Sequence, residues 1–225
     1  MGSPVLPSEA ALPRHQLVRI RPAAWTALLA SRPELGGEPL LGGWAERGWP
    51  LIVRRALPDE TQDGLPLGLP LPPSAGKRRI AVQVRHGDIA SVAPLPSLAD
   101  AMASAPPDWQ ACLRELIAVG ARHDVQPRVF GSLAWQHLTG LTYLSPSSDL
   151  DLIWPLPRRD RIGALLEELA QVEARAPMRL DGELVRADGA GVNWRELHAG
   201  IPELALKTAA DVVLCSIDEF AGEPA

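Results

Sequence analysis

The sequence predicts an α/β (α+β) fold in two domains, with a smaller N-terminal α/β domain ahead of a C-terminal domain. Prolines concentrate between Pro50 and Pro107, which favours short elements joined by fixed turns in the first half. After this region, apolar runs of strand length alternate with apolar stripes of helical spacing. Apolar residues make up 46% of the 225-residue chain, enough for a packed core. We expect the domains to span residues 1–105 and 106–225.

Charge and cysteine content narrow the class of protein. The formal net charge is -5 and the pI about 5.6, which argues against a nucleic-acid-binding protein. Cys112 and Cys215 lie far apart and have no CxxC or Cys/His spacing, so neither a structural zinc site nor a disulfide framework is expected. No apolar stretch approaches the roughly 20 residues that span a bilayer, and the N-terminus lacks a signal-peptide core. We therefore expect a cytoplasmic protein that binds neither nucleic acid nor membrane.

The first half contains three predicted strands and one predicted helix. The strands are Gln16–Ile20, Trp49–Arg55 and Arg79–Arg85. Pro22 is suited to the first helical position, and the alanine-rich segment after it predicts a helix that ends near Ser31. The second and third strands are separated by DGLPLGLPLPPSAGKRR, a proline- and glycine-rich segment for which no regular element is predicted.

The second half alternates more regularly. Asp108 is predicted to cap a helix whose apolar stripe is formed by Trp109, Cys112, Leu113, Leu116, Ile117 and Gly120. A strand over residues 128–130 runs into Gly131-Ser132, followed by a short helix that ends with Gly140 in the C′ position. The next predicted elements are a strand DLDLIWPL, a helix over residues 159–175, a strand MRLDGELVR and a closing element KTAADVVLCSIDEF.

Two acidic residues stand out at the start of the strand DLDLIWPL. Asp149 and Asp151 alternate with Leu150 and Leu152, although aspartate is depleted in strands. Side chains at positions i and i+2 of a strand share one face, so the two carboxylates lie close together. Magnesium prefers such oxygen ligands, and a metal held by two carboxylates can also bind a triphosphate. The alternative is that both acids are simply solvated at the end of a strand.

Gly131-Ser132 supports the phosphate hypothesis. The pair follows an apolar strand and opens a helix, where backbone N–H groups and the Ser132 hydroxyl can receive phosphate oxygens. The alternative for Gly-Ser alone is an ordinary turn. The order strand, Gly-Ser, helix, loop and then two alternating aspartates favours phosphate and metal binding together.

This order resembles the nucleotidyltransferase superfamily of the polymerase-β type, whose signature is hG[GS] followed by D-h-[DE]-h and a third acid on a later strand. Here 16 residues lie between Ser132 and Asp149, somewhat more than in many members. The strand MRLDGELVR offers two candidates for the third acid. Asp181 is favoured because it follows Leu180 in an h-D pattern, and Glu183 remains an alternative, as does an exposed strand edge without a metal role.

A narrower resemblance covers most of the chain. The segments RGWPLIVRR, GLPLGLPLPPSAGKRRIAV, VFGSLAWQHLTGLTYLSPSSDLDLIW and LDGELVRADGAGVNWREL resemble the malonate decarboxylase holo-acyl-carrier-protein synthase family, also called phosphoribosyl-dephospho-CoA transferases. The resemblance implies transfer of a phosphoribosyl-dephospho-CoA group from 2′-(5″-triphosphoribosyl)-3′-dephospho-CoA. The acceptor is a serine of the apo acyl carrier subunit of malonate decarboxylase, and pyrophosphate leaves. A nucleotidyltransferase fold is implied for the C-terminal domain.

The resemblance also implies roles for individual residues. Asp149, Asp151 and Asp181 would hold one or two magnesium ions, and Asp181 would help remove the proton of the attacking serine. The phosphates would be bound by Gly131 and Ser132.

Basic residues of both halves are candidate binding groups. Lys77, Arg78 and Arg79 offer donors for a triphosphate or for carboxylates, or else form a solvated turn. Carrier proteins of this kind are usually acidic, so their docking surface would instead include Arg54, Arg55, Arg158 and Arg159. Lys207 reaches a phosphate or lies on the surface.

Two other functions remain open at this point. One is a nucleotidyltransferase that adds a nucleoside monophosphate to a protein, an RNA end or a small molecule. The first half, with its GLPLGLPLPPSAGKRR segment, favours the carrier-protein reaction, because a minimal nucleotidyltransferase does not need it. The other is a non-catalytic nucleotide-binding module, which the presence of all the expected acids disfavours.

Overall fold

The computed structural model describes residues 12–57, 60 and 64–222 of the chain. The chain divides into two compact units between Pro94 and Leu95. The boundary expected near Ala105 lies within the second unit. A short helix over Leu98–Ala101 precedes Ala105, and its two terminal side chains are buried in the core of the second unit.

The first unit is built on one five-stranded sheet. Its strands are β1 (Leu17–Ile20), β2 (Leu51–Val53), β3 (Leu65–Pro70), β4 (Arg79–Val84) and β5 (Ile89–Ala93). They are paired antiparallel in the order β4-β3-β2-β1-β5. Two helices, α1 (Pro22–Ala30) and α2 (Pro39–Gly42), begin at prolines, whose fixed φ suits the first helical turn. The three strands and the helix predicted for this half are all present.

The prediction that no regular element occupies DGLPLGLPLPPSAGKRR is wrong. Part of this segment is β3, an interior strand of the sheet. The side chains that β3 buries are leucines at alternate positions, Leu65, Leu67 and Leu69. Pro66 and Pro70 are tolerated because β2 pairs only with Leu67 and Gly68, between the prolines. The Pro66 carbonyl accepts the Arg54 N–H at 3.1 Å, so this proline contributes through the one backbone group that it has.

Two buried tryptophans of the first unit form hydrogen bonds between segments that are distant in sequence or belong to different elements. The Trp25 Nε1 of α1 donates a hydrogen bond to the Leu41 carbonyl of α2 at 2.7 Å. The Trp44 Nε1 donates to the Pro50 carbonyl, directly before β2, at 3.1 Å. Both rings are fully buried, and both ring N–H groups have the partner that a buried tryptophan needs.

The second unit contains a six-stranded sheet and six helices within the described residues. The strands are β6 (Arg128–Val129), β7 (Leu150–Pro155), β8 (Leu180–Val185), β9 (Gly191–Asn193), β10 (Leu204–Lys207) and β11 (Val212–Cys215). The helices are α3 (Leu98–Ala101), α4 (Gln110–Arg122), α5 (Gly131–Thr139), α6 (Ile162–Glu173), α7 (Trp194–His198) and α8 (Ile217–Ala221). The strand order is β11-β10-β9-β8-β7-β6, with β7 and β8 parallel and the other pairs antiparallel.

The start of α4 differs from the prediction. Asp108 does not cap α4, because Pro107–Trp109 forms a 3₁₀ turn and α4 begins at Gln110 without a side-chain cap hydrogen bond. The predicted apolar stripe of α4 does face the core, with Ile117 only partly buried. Gly140 ends α5 in the left-handed conformation with φ 72°, as predicted.

The core of the second unit lies between the helices and the strands β7 and β8. Helix α6 contributes one face of buried residues, Ile162, Leu165, Leu166, Leu169 and Val172. The strands contribute Leu150, Leu152, Trp154, Leu180 and Leu184. Among the helices of the described part of the chain, none is long and apolar enough to cross a membrane.

The buried strand β3 can be tested with two leucines of the first unit. Leu67 is fully buried on β3, whereas Leu57 is 53% exposed. We expect Leu67→Ala to lower the free energy of unfolding by about 2–5 kcal/mol, because it leaves a cavity. Leu57→Ala should stay within about 0.5 kcal/mol of the unchanged protein. Urea denaturation followed by tryptophan fluorescence measures both, and equal small losses would contradict the strand.

Candidate active site

The parallel pairing of β7 and β8 brings the predicted acids together. Asp151 of β7 is directly paired in register with Asp181 of β8. Asp149 lies immediately before β7, and its backbone neighbour Leu150 donates its N–H to the Arg179 carbonyl at 2.9 Å. All three carboxylates are half-buried. Because the strands are parallel, the three acids gather at the N-terminal ends of two adjacent strands.

Gly131 lies against the Asp151 carboxylate. It is the first residue of α5 and has a φ of 62°, a conformation that glycine adopts without strain. A Cβ at this position would lie 1.8 Å from the Asp151 Oδ2. The neighbouring Phe130 N–H donates to the Asp151 carbonyl at 3.1 Å. The N-terminus of α5, with half-buried Ser132 in its first turn, is therefore held beside Asp151. The first N–H groups of a helix have no partner within the helix.

The Asp181 side chain is fixed through one of its two oxygens. Its Oδ1 accepts hydrogen bonds from the Gly182 N–H at 2.8 Å and from the Asn193 Nδ2 at 3.1 Å. The Asn193 Oδ1 in turn accepts the Arg195 N–H at 2.9 Å and so caps α7. Asn193 thus links the orientation of the Asp181 carboxylate to the start of a helix.

Arg179 lies between two of the acids. Its Nη1 is 3.6 Å from the Asp149 Oδ2, and its Nη2 is 3.6 Å from the Asp181 Oδ2. These are ion-pair distances that are too long for hydrogen bonds.

A second arginine near the acids is bound elsewhere. Arg195 donates to both carboxylate oxygens of Glu173 and to the Leu180 carbonyl. These hydrogen bonds to Glu173 raise the pKa of Arg195, and the charges of Asp181 and Asp149 add to the rise. Burial, the largest single influence on Glu173, raises the pKa of its carboxyl. The hydrogen bonds and charge of Arg195, the Leu180 N–H and the charge of Arg179 together outweigh burial, so the pKa is lowered. Both groups are therefore charged, and they hold the end of α6 against the start of β8.

Glu183, the alternative third acid, has a different environment from Asp181. It is only 6% exposed and accepts a hydrogen bond from the Lys207 Nζ of β10 at 2.8 Å. It is paired in register with Ile153 of β7 and lies two residues further along β8 than Asp181, away from Asp149. Lys207, for which the sequence left open a phosphate or a surface position, is in this structure the partner of Glu183.

The three carboxylates are of the right chemical type for magnesium, but they do not lie close enough together to bind it. Three carboxylates are the hard oxygen donors that magnesium prefers. Within the described ranges, however, no three His, Cys, Asp or Glu side chains are grouped closely enough to hold a metal ion. The guanidinium of Arg179 occupies the space between two of the acids. A bound metal would therefore require the three carboxylates to move closer and Arg179 to move away.

The predicted basic loop lies in the first unit, between β3 and β4. Lys77 has a φ of 54° and follows Gly76, whose φ is 81°. Lys77, Arg78 and Arg79 are all exposed. Arg78 pairs with Glu38 through its Nη2 at 2.6 Å. The loop therefore presents cationic side chains to solvent from a tight, hydrogen-bonded turn in which the Leu71 N–H donates to the Arg78 carbonyl.

The four arginines considered as an alternative docking surface are not equivalent. Arg54 is largely buried and donates to both oxygens of Glu60, so its charge is already matched. The Arg55 Nε is buried. Arg158 and Arg159 are exposed, and each pairs with an exposed aspartate, Asp160 and Asp218.

Sequence reasoning missed Asn193, Arg179 and Arg195. No spacing rule connects Asn193 to Asp181, because the contact depends on the register of β8 and β9. One signal was available for Arg179, which stands two residues before Asp181 in the predicted strand MRLDGELVR; the observed β8 begins one residue later, at Leu180.

The close approach of Gly131 to Asp151 predicts an additional cost for a side chain there. Gly140→Ala is the matched control, because it has the same left-handed backbone but nothing within 4 Å of the new Cβ. We expect Gly140→Ala to cost about 1–2 kcal/mol of stability from backbone strain alone. Gly131→Ala should cost about 1–3 kcal/mol more, since it also displaces the Asp151 carboxylate. Chemical denaturation of both variants measures the difference.

The same comparison in an Asp151→Ala background isolates the contact. Without the carboxylate, the additional cost of Gly131→Ala should largely disappear. If the additional cost persists in that background, the contact with Asp151 does not explain it.

Comparisons with known proteins cover both units. The model of the N-terminal domain of phosphoribosyl-dephospho-CoA transferase MdcG matches residues 13–95, and the model of its C-terminal domain matches residues 97–218. A phosphoribosyl-dephospho-CoA transferase from Bradyrhizobium diazoefficiens is 49% identical over 207 residues, which cover 92% of this chain and 91% of that protein. One from Xanthomonas campestris pv. campestris is 40% identical over 194 residues, 86% of this chain and 89% of that protein. No solved structure gives a significant match. With both domain models matched and nearly the full length aligned, this chain belongs to the phosphoribosyl-dephospho-CoA transferases, a family of transferase enzymes.

Proposed function

We propose that the protein transfers phosphoribosyl-dephospho-CoA from 2′-(5″-triphosphoribosyl)-3′-dephospho-CoA to a serine of the apo acyl carrier subunit of malonate decarboxylase. The family supports the transferred group, and the resemblance in sequence supports the carrier protein. The structural observation that carries the proposal is the register of β7 and β8. It sets Asp151 beside Asp181, with Asp149 next to them and the start of α5 against Asp151.

The proposed reaction is a substitution at phosphorus. The serine oxygen forms a bond to the α-phosphorus of the donor, the bond from that phosphorus to the bridging oxygen of the β-phosphate breaks, and pyrophosphate leaves. Asp181 accepts the serine proton, which its fixed Oδ1 and remaining Oδ2 allow. Such transfers depend mainly on positioning of the reactants and on stabilisation of negative charge. The carboxylates would serve the positioning, and cations bound to them would supply the positive charge.

The proposed cofactor is Mg²⁺, as one or two ions. Asp149, Asp151 and Asp181 would hold it through carboxylate oxygens at the ends of adjacent strands. When bound, it would neutralise charge on the donor phosphates and on the leaving pyrophosphate.

Gly131 and Ser132 are the proposed phosphate-binding residues. Gly131 lets the chain turn directly beside Asp151, and α5 then begins with N–H groups that have no partner within the helix. A phosphate bound there would lie next to the carboxylate that holds the metal.

Lys77 and Arg79 are proposed to bind the donor. Both are exposed on the turn after β3, and no ion pair is recorded for either one among the described residues, whereas Arg78 pairs with Glu38. Charged donors of this kind bind phosphate oxygens strongly. An acidic carrier surface is the competing ligand for the same turn.

Isosteric substitutions test the acids. Asp149→Asn and Asp151→Asn should abolish transfer, and Asp181→Asn should lower turnover by about 10²–10⁴-fold, because the proton acceptor is removed. Glu183→Gln is the matched control on the same strand, since it keeps the shape but lies outside the proposed site. It removes the charge that pairs with Lys207, so it should lower the melting temperature, but the transfer rate of the folded variant should stay near normal.

The assay is mass spectrometry of the carrier subunit after incubation with Mg²⁺ and either the triphosphoribosyl donor or ATP. Thermal melts of each variant verify the fold. Near-normal transfer by Asp149→Asn or Asp151→Asn would refute the metal role. A greater loss for Glu183→Gln than for Asp181→Asn would assign the third acid to Glu183, and labelling of the carrier from ATP alone would refute the proposed donor.

The double variant Lys77→Ala/Arg79→Ala tests the basic turn. If the turn binds the donor, donor affinity should fall about ten- to a hundredfold for each lost contact of roughly 1.5–3 kcal/mol, while carrier affinity is unchanged. If the turn docks the carrier instead, carrier affinity falls and the loss becomes smaller at high salt. Calorimetric titration of each ligand at two ionic strengths distinguishes the cases, and unchanged affinity for both would remove the turn from the site.

A further inference from the structure

The strand β11 forms an apolar, exposed edge of the six-stranded sheet. It stands at the end of the strand order, and Val212, Val213 and Leu214 are 42%, 45% and 66% exposed. An edge strand is usually protected by charged residues, prolines or a bulge, because its open side pairs readily with other chains. The sequence of β11, VVLC, contains neither a charged residue nor a proline. This edge is therefore a candidate binding surface.

Two of the exposed side chains of β11 share the face of the sheet on which the candidate acids lie. Val185 follows Asp181 by four residues on β8 and therefore points to the same face. Directly paired residues of neighbouring strands also share a face. The pairs that lead to the edge are Val185 with Gly191, Gly191 with Lys207, Lys207 with Val212 and Ala205 with Leu214. Val212 and Leu214 thus lie on the acid face, three strand spacings or about 14 Å from β8.

The backbone of Leu214 points away from the sheet. The Thr208 N–H donates to the Asp211 carbonyl at 2.8 Å, so these residues form a hydrogen-bonded pair next to the β10–β11 ladder. Such pairs alternate along an antiparallel ladder, so Val213 bonds to β10, whereas the backbone groups of Val212 and Leu214 point outward. The Val212 N–H donates to the Asp211 Oδ1 at 2.7 Å. Leu214 therefore presents an N–H and a carbonyl at the edge, the two groups that bind an amide.

Carboxylates at both ends of β11 restrict what can bind there. Asp211 precedes the strand, and just after it Glu219 accepts the Ser216 N–H at 2.7 Å. The hydrogen bond from this N–H, and next that from the Ser216 hydroxyl, lower the pKa of Glu219, so its carboxylate is charged. A second copy paired antiparallel with β11 would bring the Asp211 of each copy to the end where the other has Glu219, and like charges repel. An acidic carrier surface would be repelled in the same way, so the edge suits an uncharged ligand.

We propose that β11 binds the pantetheine arm of the dephospho-CoA part of the donor. The arm is uncharged, carries two methyl groups that can pack on Leu214 and Val212, and has two amides, one of which can pair with the Leu214 backbone. This inference rests on the proposed function and adds a second part to the donor site.

The length of the donor allows both parts to be bound at once. Two ribose rings and a diphosphate separate the arm from the reacting phosphorus. The extended arm itself has about as many chain bonds as four residues, which corresponds to about 13–14 Å. A donor whose triphosphate lies at the acids can therefore place its arm at β11.

A shortened ligand tests the arm site. The compound 2′-(5″-triphosphoribosyl)adenosine keeps the triphosphate and both riboses of the donor but lacks the diphosphate and the arm. We expect Leu214→Gln to weaken binding of the full donor about three- to tenfold, because part of an apolar contact is lost. Its affinity for the shortened ligand should be unchanged. Calorimetric titration of each ligand without carrier protein measures both affinities.

Val213→Gln is the matched control. Val213 lies on the same strand and is 45% exposed, but its side chain points to the opposite face. Both affinities should be unchanged in this variant. Thermal melts verify the fold, and Leu214→Ala is the smaller change to use if Leu214→Gln does not fold. In the unchanged protein, hydrogen exchange of the Leu214 amide should be slowed by the full donor and not by the shortened ligand.

The outcomes separate this inference from the proposed function. If the unchanged protein binds neither ligand, the proposed function is refuted, and the arm site with it. If it binds both, and Leu214→Gln affects both equally or neither, only the arm site is refuted. If Leu214→Gln keeps donor affinity but lowers carrier affinity, or converts a dimer to a monomer in sedimentation, the edge binds the carrier or a second copy and the arm site is again refuted.

Discussion

The candidate site depends on how closely β7 and β8 can approach each other. Gly182 separates Asp181 from Glu183, and a Cβ there would lie 2.0 Å from the Leu152 carbonyl oxygen. A glycine at this position is therefore required for the observed pairing, in which Asp151 lies opposite Asp181. Because the two strands are parallel, both acids lie at the same end of the strands. The buried face of α6, which connects the two strands, supports this arrangement from the core.

The ion pairs of the second unit are of two kinds, those that stabilise the fold and those at the candidate site. Glu173 with Arg195 and Glu183 with Lys207 are hydrogen-bonded pairs in which at least one member is mostly buried. Removing one partner of such a pair leaves a charge without compensation, so these residues are constrained by stability. Arg179 and Asp149 are more exposed, and the ion pairs that Arg179 forms with Asp149 and Asp181 are longer, at 3.6 Å each. Weak pairing is what a site needs if its charged groups are to change partners during a reaction.

The sequence predicted the elements that local pattern determines and missed those that depend on register. Alternation of Asp149, Leu150, Asp151 and Leu152 predicted β7, and Gly140 predicted the end of α5, because both signals are local. The strand β3 was missed because Pro66 and Pro70 favour irregular structure, which obscures the alternation of three leucines. Asn193 was missed because its contact with Asp181 is made across two paired strands, which single-sequence spacing does not encode.

The ion pair between Glu183 and Lys207 has a consequence for the order in which the protein matures. Glu183 is buried in β8, but its cationic partner lies on β10, which the ribosome synthesises later. A nascent chain that ends before β10 would have to bury Glu183 without this cation, which is unfavourable. The candidate acids of β7 and β8 are therefore expected to reach their stable arrangement only after β10 has been synthesised and has added to the sheet.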